Sequence, residues 1–160
     1  MTADTGQDTV IVVGSDHAGF DLKQKVTAYL VSKGFTVEDA GCYSDQRVDY
    51  PDFAAKAIQT MKEQQADRTI LVCGSGIGVS IAANRFNGIR AVLANDVTTA
   101  KWSRLHNDAN VLCLGGRIIT PDLSYQIIDT WLETEFEGGR HQGRIDQLDT
   151  LNAKAPSGCA

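Results

Sequence analysis

A chain of 160 residues, 42% hydrophobic and 22% charged, has the size and composition of one soluble globular domain with a sizeable core. Its net charge of -5 argues against a general nucleic-acid-binding surface, and no apolar run approaches the length of a membrane span. The first nine residues are polar and lack the basic start and apolar centre of a signal peptide, so a cytoplasmic setting is expected.

In chain order, Val10 to Val13 is a β-branched run suited to a fully buried strand. From Phe20 to Lys33 the positions Leu22, Val26, Tyr29 and Leu30 recur at helical spacing, and Gly34 ends the pattern. Phe35 to Val37 suggests a second strand. After a polar loop, Pro51 fits the first turn of a helix that runs to about Gln64, with Phe53, Ala57 and Met61 on one face. Thr69 to Cys73 is a third strand. A glycine turn, Gly74-Ser75-Gly76-Ile77-Gly78, then feeds a helix from Val79.

Ile89 to Leu93 is a fourth strand, followed by a helix from about Val97 to Leu105. Val111 to Leu114 is a fifth strand, stopped by Gly115 and Gly116. Helices are expected over Pro121 to Phe136 and Arg144 to Leu151, and residues 152–160 read as a disordered tail. Strands alternating with helices predict an α/β fold with a parallel sheet covered on both faces. A ligand site then belongs outside the carboxyl ends of the strands. Residues 1–151 are expected to form a single domain.

Chemistry concentrates at that edge. Cys73 ends a buried strand beside backbone amides and a helix start, neighbours that favour a thiolate and hold an anion. The glycines after it let the backbone approach a ligand and turn successive amides toward an oxyanion. The turn lacks the Lys-Ser/Thr of a P-loop and fits the dinucleotide fingerprint poorly. The plain alternative is a tight turn with a buried structural cysteine.

Asp16 and His17 follow the first strand and so fall on the same edge, although Asp16 could simply cap the next helix. His106, with Asn107 and Asp108, closes the fourth helix. It could move a proton between sugar oxygens or be a charged helix end. Arg140 and Arg144 are four apart and would face one way beside a helix start, an arrangement suited to phosphate or to a solvated basic patch. Arg117 could add a third guanidinium. Tyr50 and Asp49 read as a packed aromatic and a cap. The four cysteines, Cys42, Cys73, Cys113 and Cys159, form no CxxC pair and read as reduced thiols. His17, His106 and His141 lack the close spacing of zinc ligands, so no metal is expected.

The stretches GSDHAGFDLK, DYPDFA, ILVCGSGIGVSIAANRFNGIRA, HNDANVLCLGGR and EGGRHQGRI, in that order, resemble the type B ribose-5-phosphate isomerase family and its galactose-6-phosphate and allose-6-phosphate relatives. The resemblance implies a three-layer α/β/α sandwich with a five-stranded parallel Rossmann-like sheet in the order 2-1-3-5-4. It implies aldose–ketose isomerisation of a sugar phosphate without metal or cofactor, in a homodimer whose sites draw on both subunits.

By the same resemblance, Cys73 is the base and Ser75 assists it, while the amides of Gly74, Ser75, Gly76, Ile77 and Gly78 hold the enediolate. His106 helps to open the furanose ring, with His17 in support. Asp16 and Asn107 bind hydroxyls, and Arg117, Arg140 and Arg144 bind the phosphate. All these residues stand on one chain, which favours a self-sufficient ribose-5-phosphate enzyme. A non-catalytic sugar-phosphate sensor would keep the arginines and the glycine turn but need neither Cys73 nor His106. A redox sensor at Cys73 lacks a resolving cysteine nearby in sequence.

Overall fold

The computed structural model describes residues 9–151. The expected tail, residues 152–160, lies outside them. A five-stranded parallel sheet forms from β1 (Val10–Ser15), β2 (Thr36–Asp39), β3 (Arg68–Cys73), β4 (Ala91–Leu93) and β5 (Val111–Gly115). Its order is β2-β1-β3-β5-β4, as the resemblance implies. Among the described residues no helix is long and apolar enough to cross a membrane.

The strands carry almost continuous apolar runs because both faces of the sheet are covered. Alternate residues then sort into two cores by the two-residue period of a strand. Ile11, Val13, Ile70, Val72, Leu112 and Leu114 face one side, where α1 (Phe20–Ser32), α4 (Val97–Asn107) and α5 (Pro121–Glu133) bring Val26, Leu30, Ala100, Ile127 and Trp131. Val12, Leu71, Cys73, Val111 and Cys113 face the other, against Ala54, Ala57, Ile58 and Met61 of α2 (Tyr50–Glu63) and Val79 and Ala83 of α3 (Ile77–Ala83). The result is three layers, α/β/α.

Several bounds differ from the sequence expectation: β4 begins at Ala91 rather than Ile89, and α5 ends at Glu133 rather than Phe136. The helix after the glycine turn begins at Ile77, two residues early, so Ile77 and Gly78 are helical rather than part of the loop. The helix expected over Arg144 to Leu151 is broken. A 3-10 turn at Gly139–His141 leads into α6 (Gln142–Ile145), and a second 3-10 turn covers Leu148–Thr150. Only Ile145 of that stretch is buried beyond His141, so no apolar stripe rewards a longer helix. Asp149 instead accepts the Gly88 amide at 2.7 Å and ties the segment to the loop before β4.

One buried ion pair sets the loop between β2 and α2. Lys23 of α1 is fully buried, and its Nζ lies 2.6 and 2.7 Å from the two carboxylate oxygens of Asp39. The same Nζ donates to the Cys42 carbonyl at 2.5 Å. Removing one partner leaves the other charge buried without compensation, which typically costs 3 kcal/mol or more. Asp39→Ala should therefore lower unfolding stability by about 3 kcal/mol, the low end of that range because Asp39 is partly exposed. Urea denaturation at pH 7 checks this, and an unchanged midpoint would show that the pair contributes nothing.

Candidate active site

Three strand-end turns meet at the carboxyl edge of the sheet. The turn after β5 lies along the turn after β3, with Gly116 N–H donating to Cys73 O at 2.8 Å and Arg117 N–H to Gly74 O at 3.0 Å. The turn after β1 is held to β3 by Asp16 N–H, which donates to Val72 O at 3.2 Å. Gly19 packs so closely on β3 that a Cβ there would overlap the Val72 carbonyl. The main chain itself thus brings the turns together.

They enclose a cavity of about 390 Å³ lined by Asp16, His17, Ala18, Tyr50, Cys73, Gly74, Ser75, Gly78, Arg117 and Ile118. The volume suits a small polar molecule. Cys73 is the last residue of β3, and its Sγ accepts the Gly76 N–H at 3.1 Å. Gly76 reaches that position with φ of 77°, and a side chain there would meet Leu93 at 2.5 Å and the Leu114 backbone at 2.9 Å. Both constraints call for glycine. Ser75 Oγ accepts the Ile77 N–H at 3.2 Å. Two amides of the turn are therefore engaged, one by the thiol sulfur and one by the serine.

The other ionisable groups are held from neighbouring elements. Asp16 is buried, and its Oδ1 accepts the Gly19 N–H at 3.0 Å, a bond that stabilises the turn ahead of α1. His17 Nδ1 lies 3.2 Å from both the Val48 N–H and the Val48 carbonyl oxygen, so the Val48 backbone holds the ring in either tautomer. Val48 lies two residues before Tyr50, so one loop orients both His17 and the tyrosine. Cys113 lies deeper, on β5, fully buried. Burial, and then the neighbouring Cys73 sulfur, push its thiol far above the ordinary range, so it stays protonated.

A second cluster forms at the carboxyl end of α4. Asp108 closes that helix in the left-handed conformation, its carboxylate gripped by Arg104 at 2.7 Å and Arg90 at 3.3 Å. Glu137 N–H donates to Leu105 O at 3.1 Å and docks the segment after α5 on this helix end. His106 stacks on His141 there, with ring centroids 4.4 Å apart and planes 16° from parallel. Glu137 Oε2 lies 3.7 Å from His106 Nε2 and 3.5 Å from His141 Nε2. Burial, then the charges of Arg140 and His106, hold the His141 imidazole below its usual range, so it is neutral at pH 7.

The family model for Ribose/Galactose Isomerase matches residues 11–148. The chain belongs to this family. The ribose-5-phosphate isomerase B of Escherichia coli (strain K12) is 43% identical over 144 residues, 90% of this chain and 97% of that protein. The solved ribose 5-phosphate isomerase from Thermotoga maritima is 50% identical and superposes with a TM-score of 0.86, over 89% of this chain and 99% of that one. The ribose-5-phosphate isomerase B of Mycoplasma genitalium, solved with bound ribulose-5-phosphate, is 41% identical with a TM-score of 0.85, over 91% of this chain and 97% of that one.

The residues singled out from sequence divide into two groups. Asp16, His17, Cys73, Gly74, Ser75, Gly78 and Arg117 line one cavity. His106, Asn107, Arg140 and Arg144 do not; nor do Gly76 and Ile77, which belong to the same turn as Cys73 but give their amides to Cys73 and Ser75. Asn107 borders a separate groove of about 850 Å³ that shares no residue with the first and lacks its thiol. Arg140 sits in a 3-10 turn and Arg144 in the four-residue α6, so they do not flank the start of a long helix as their spacing suggested.

Tyr50 and Ile118 line the cavity although sequence reasoning gave them no part in it. Their types alone carry no signal, whereas their places just after loops at the sheet edge do. Cys42, Cys73 and Cys113 are free thiols among the described residues. The two sulfurs in the sheet differ sharply in setting. Iodoacetamide at pH 8 should modify Cys73, which opens on the cavity, and leave Cys113 unmodified in the folded protein. Peptide mapping checks this, and label on Cys113 before unfolding would contradict its burial.

Proposed function

We propose that this chain interconverts ribose 5-phosphate and ribulose 5-phosphate through an enediolate, with Cys73 as the base. The observation that carries the reading is a sulfur held by a backbone amide in a cavity of sugar size, within this family. The bound ribulose-5-phosphate of the Mycoplasma genitalium relative supports a pentose phosphate as substrate.

In the open-chain aldose, the Cys73 thiolate takes the proton from C2, and the electrons of that bond move toward the carbonyl at C1. The O2 proton passes to O1. The sulfur then returns its proton to C1, and the ketose forms at C2. No electron leaves the sugar, and atoms balance within it. Gly76 N–H donates to the reacting sulfur, and the amides of Gly74, Ser75 and Gly78 would meet the enediolate oxygens with help from Ser75 Oγ. Asp16 and Nε2 of His17 are suited to sugar hydroxyls, and Arg117 to an anion.

The separation of the two residue groups supports a homodimer with shared sites. His106, Asn107, Arg140 and Arg144 of one subunit would complete the cavity of the other, opening the ring and clamping the phosphate. Exposed apolar side chains flank both halves: Ile118 in the cavity wall, Ile77 and Ile81 on α3, and Trp102 beside His106. A dimer that covers these faces also joins the half-sites.

Cys73→Ala should lower kcat by about 100-fold or more with ribose 5-phosphate, followed by NMR in deuterated water. Near-normal turnover by a folded variant would sink the thiol base. Arg140→Ala should raise KM more than it lowers kcat. Mixing the two variants tests the shared site: heterodimers, about half of a random mixture, regain one intact site each. Failure of a mixed and exchanged sample to regain activity would place both residues in one subunit's site.

A further inference from the structure

We propose that His106, Glu137 and His141 form a zinc-binding site through which the metal inhibits the enzyme. The inhibitory half of this statement rests on the proposed role of His106 in ring opening. The binding half stands on geometry alone.

The three residues come from different elements. His106 is in the last turn of α4, Glu137 follows α5, and His141 ends the 3-10 turn before α6. Their ligand atoms, two imidazole nitrogens and one carboxylate oxygen, lie within 4.8 Å of one another. Zinc bonds to nitrogen and oxygen of about 2.0–2.2 Å correspond to a tetrahedral edge of about 3.4 Å between ligands. The two edges that meet at Glu137 Oε2 measure 3.7 and 3.5 Å. One carboxylate oxygen thus lies at nearly the ligand spacing of a tetrahedral ion from both Nε2 atoms.

A second observation is independent of spacing. His141 is only 5% exposed, and its Nε2 is buried without a hydrogen-bond partner. Glu137 at 3.5 Å lies at the outer limit of hydrogen bonding and does not satisfy this nitrogen. A metal ion between the three would satisfy it. His106 and Glu137 are half exposed, which leaves an entry path, a fourth position for water or chloride, and room for the stacked His106 ring to turn its lone pair onto the ion.

Two imidazoles and one carboxylate suit zinc better than magnesium or calcium, which take oxygen ligands. Arg140 and Arg144 act on His141 as positive charges and keep the affinity moderate. Zinc bound here takes the Nε2 lone pair of His106, so that ring can no longer accept or deliver a proton at that atom. The sequence spacing argued against a metal because His106 and His141 are 35 positions apart; the chain brings their rings to 4.4 Å.

Isothermal titration of the metal-free, substrate-free protein with zinc should show one site per chain. Glu137→Gln and His141→Ala should each weaken it by about tenfold or more. Cobalt substituted for zinc should give tetrahedral d–d absorption without thiolate charge-transfer bands, which separates this site from binding at Cys73 or Cys42. Zinc should lower ribose 5-phosphate turnover in the wild type, a chelator should restore it, and the sensitivity should fall in Glu137→Gln. This variant alters a half-exposed residue and so guards against misfolding of His141→Ala. No zinc binding, or binding unchanged in both variants, overturns the site. Binding at the site without loss of turnover overturns the inhibition. An isomerase-inactive wild type that still binds zinc would instead count against the proposed function.

Discussion

Close main-chain contact between the turns after β1, β3 and β5 is the constraint on which the site depends. Two hydrogen bonds join the β3 and β5 turns, a third ties the β1 turn to Val72, and Gly19 sits against the Val72 carbonyl without space for a side chain. These contacts need no side chain to adopt a special rotamer. They place Cys73, Asp16, His17 and Arg117 around one cavity as a direct consequence of parallel strands ending on one edge. Backbone held this way loses little further freedom when a ligand binds, so its amides stay aimed.

Around this rigid edge, the side chains are oriented by bonds to the backbone more than to each other. Cys73 takes the Gly76 amide, Ser75 the Ile77 amide and Asp16 the Gly19 amide, while His17 rests on the Val48 backbone. The loop that carries Val48 begins at the Lys23–Asp39 pair, where a buried ammonium finds three oxygens within 2.7 Å. A buried charge is tolerated there because it is fully satisfied. Stability and function are thereby coupled: the same ion pair that anchors α1 to β2 also sets the base of the loop that orients His17.

The helix end at His106 follows a different logic. Asp108, Arg90 and Arg104 lock the carboxyl end of α4, and Glu137 bridges two stacked imidazoles. The cluster is rigid yet incomplete, with one buried nitrogen unsatisfied and its neighbours open to solvent. Such a group is suited to meeting something from outside, whether a second subunit's cavity or an ion. In contrast, Cys113 shows that a cysteine in the same sheet can be inert, since deep burial keeps its thiol protonated.

Strand and helix alternation, the apolar runs and the glycine turn were legible in the sequence because they are local: β-branched runs, helical periodicity and turn glycines report on neighbours a few residues away. So were the layer order and the gathering of Cys73, Asp16 and His17 at one edge, which follow from strand ends in a parallel sheet. The start of α3 at Ile77 was not, nor was the broken last helix, which the packing of Ile145 and the Asp149 bond to Gly88 decide. Nor was the division of the site, with Arg117 beside the thiol and Arg140 and Arg144 away from it. What the amino-acid sequence determined by itself is the fold class and the chemical groups available. Which of those groups meet was decided only by tertiary structure, since His106, Glu137 and His141 approach through contacts between elements far apart in the chain.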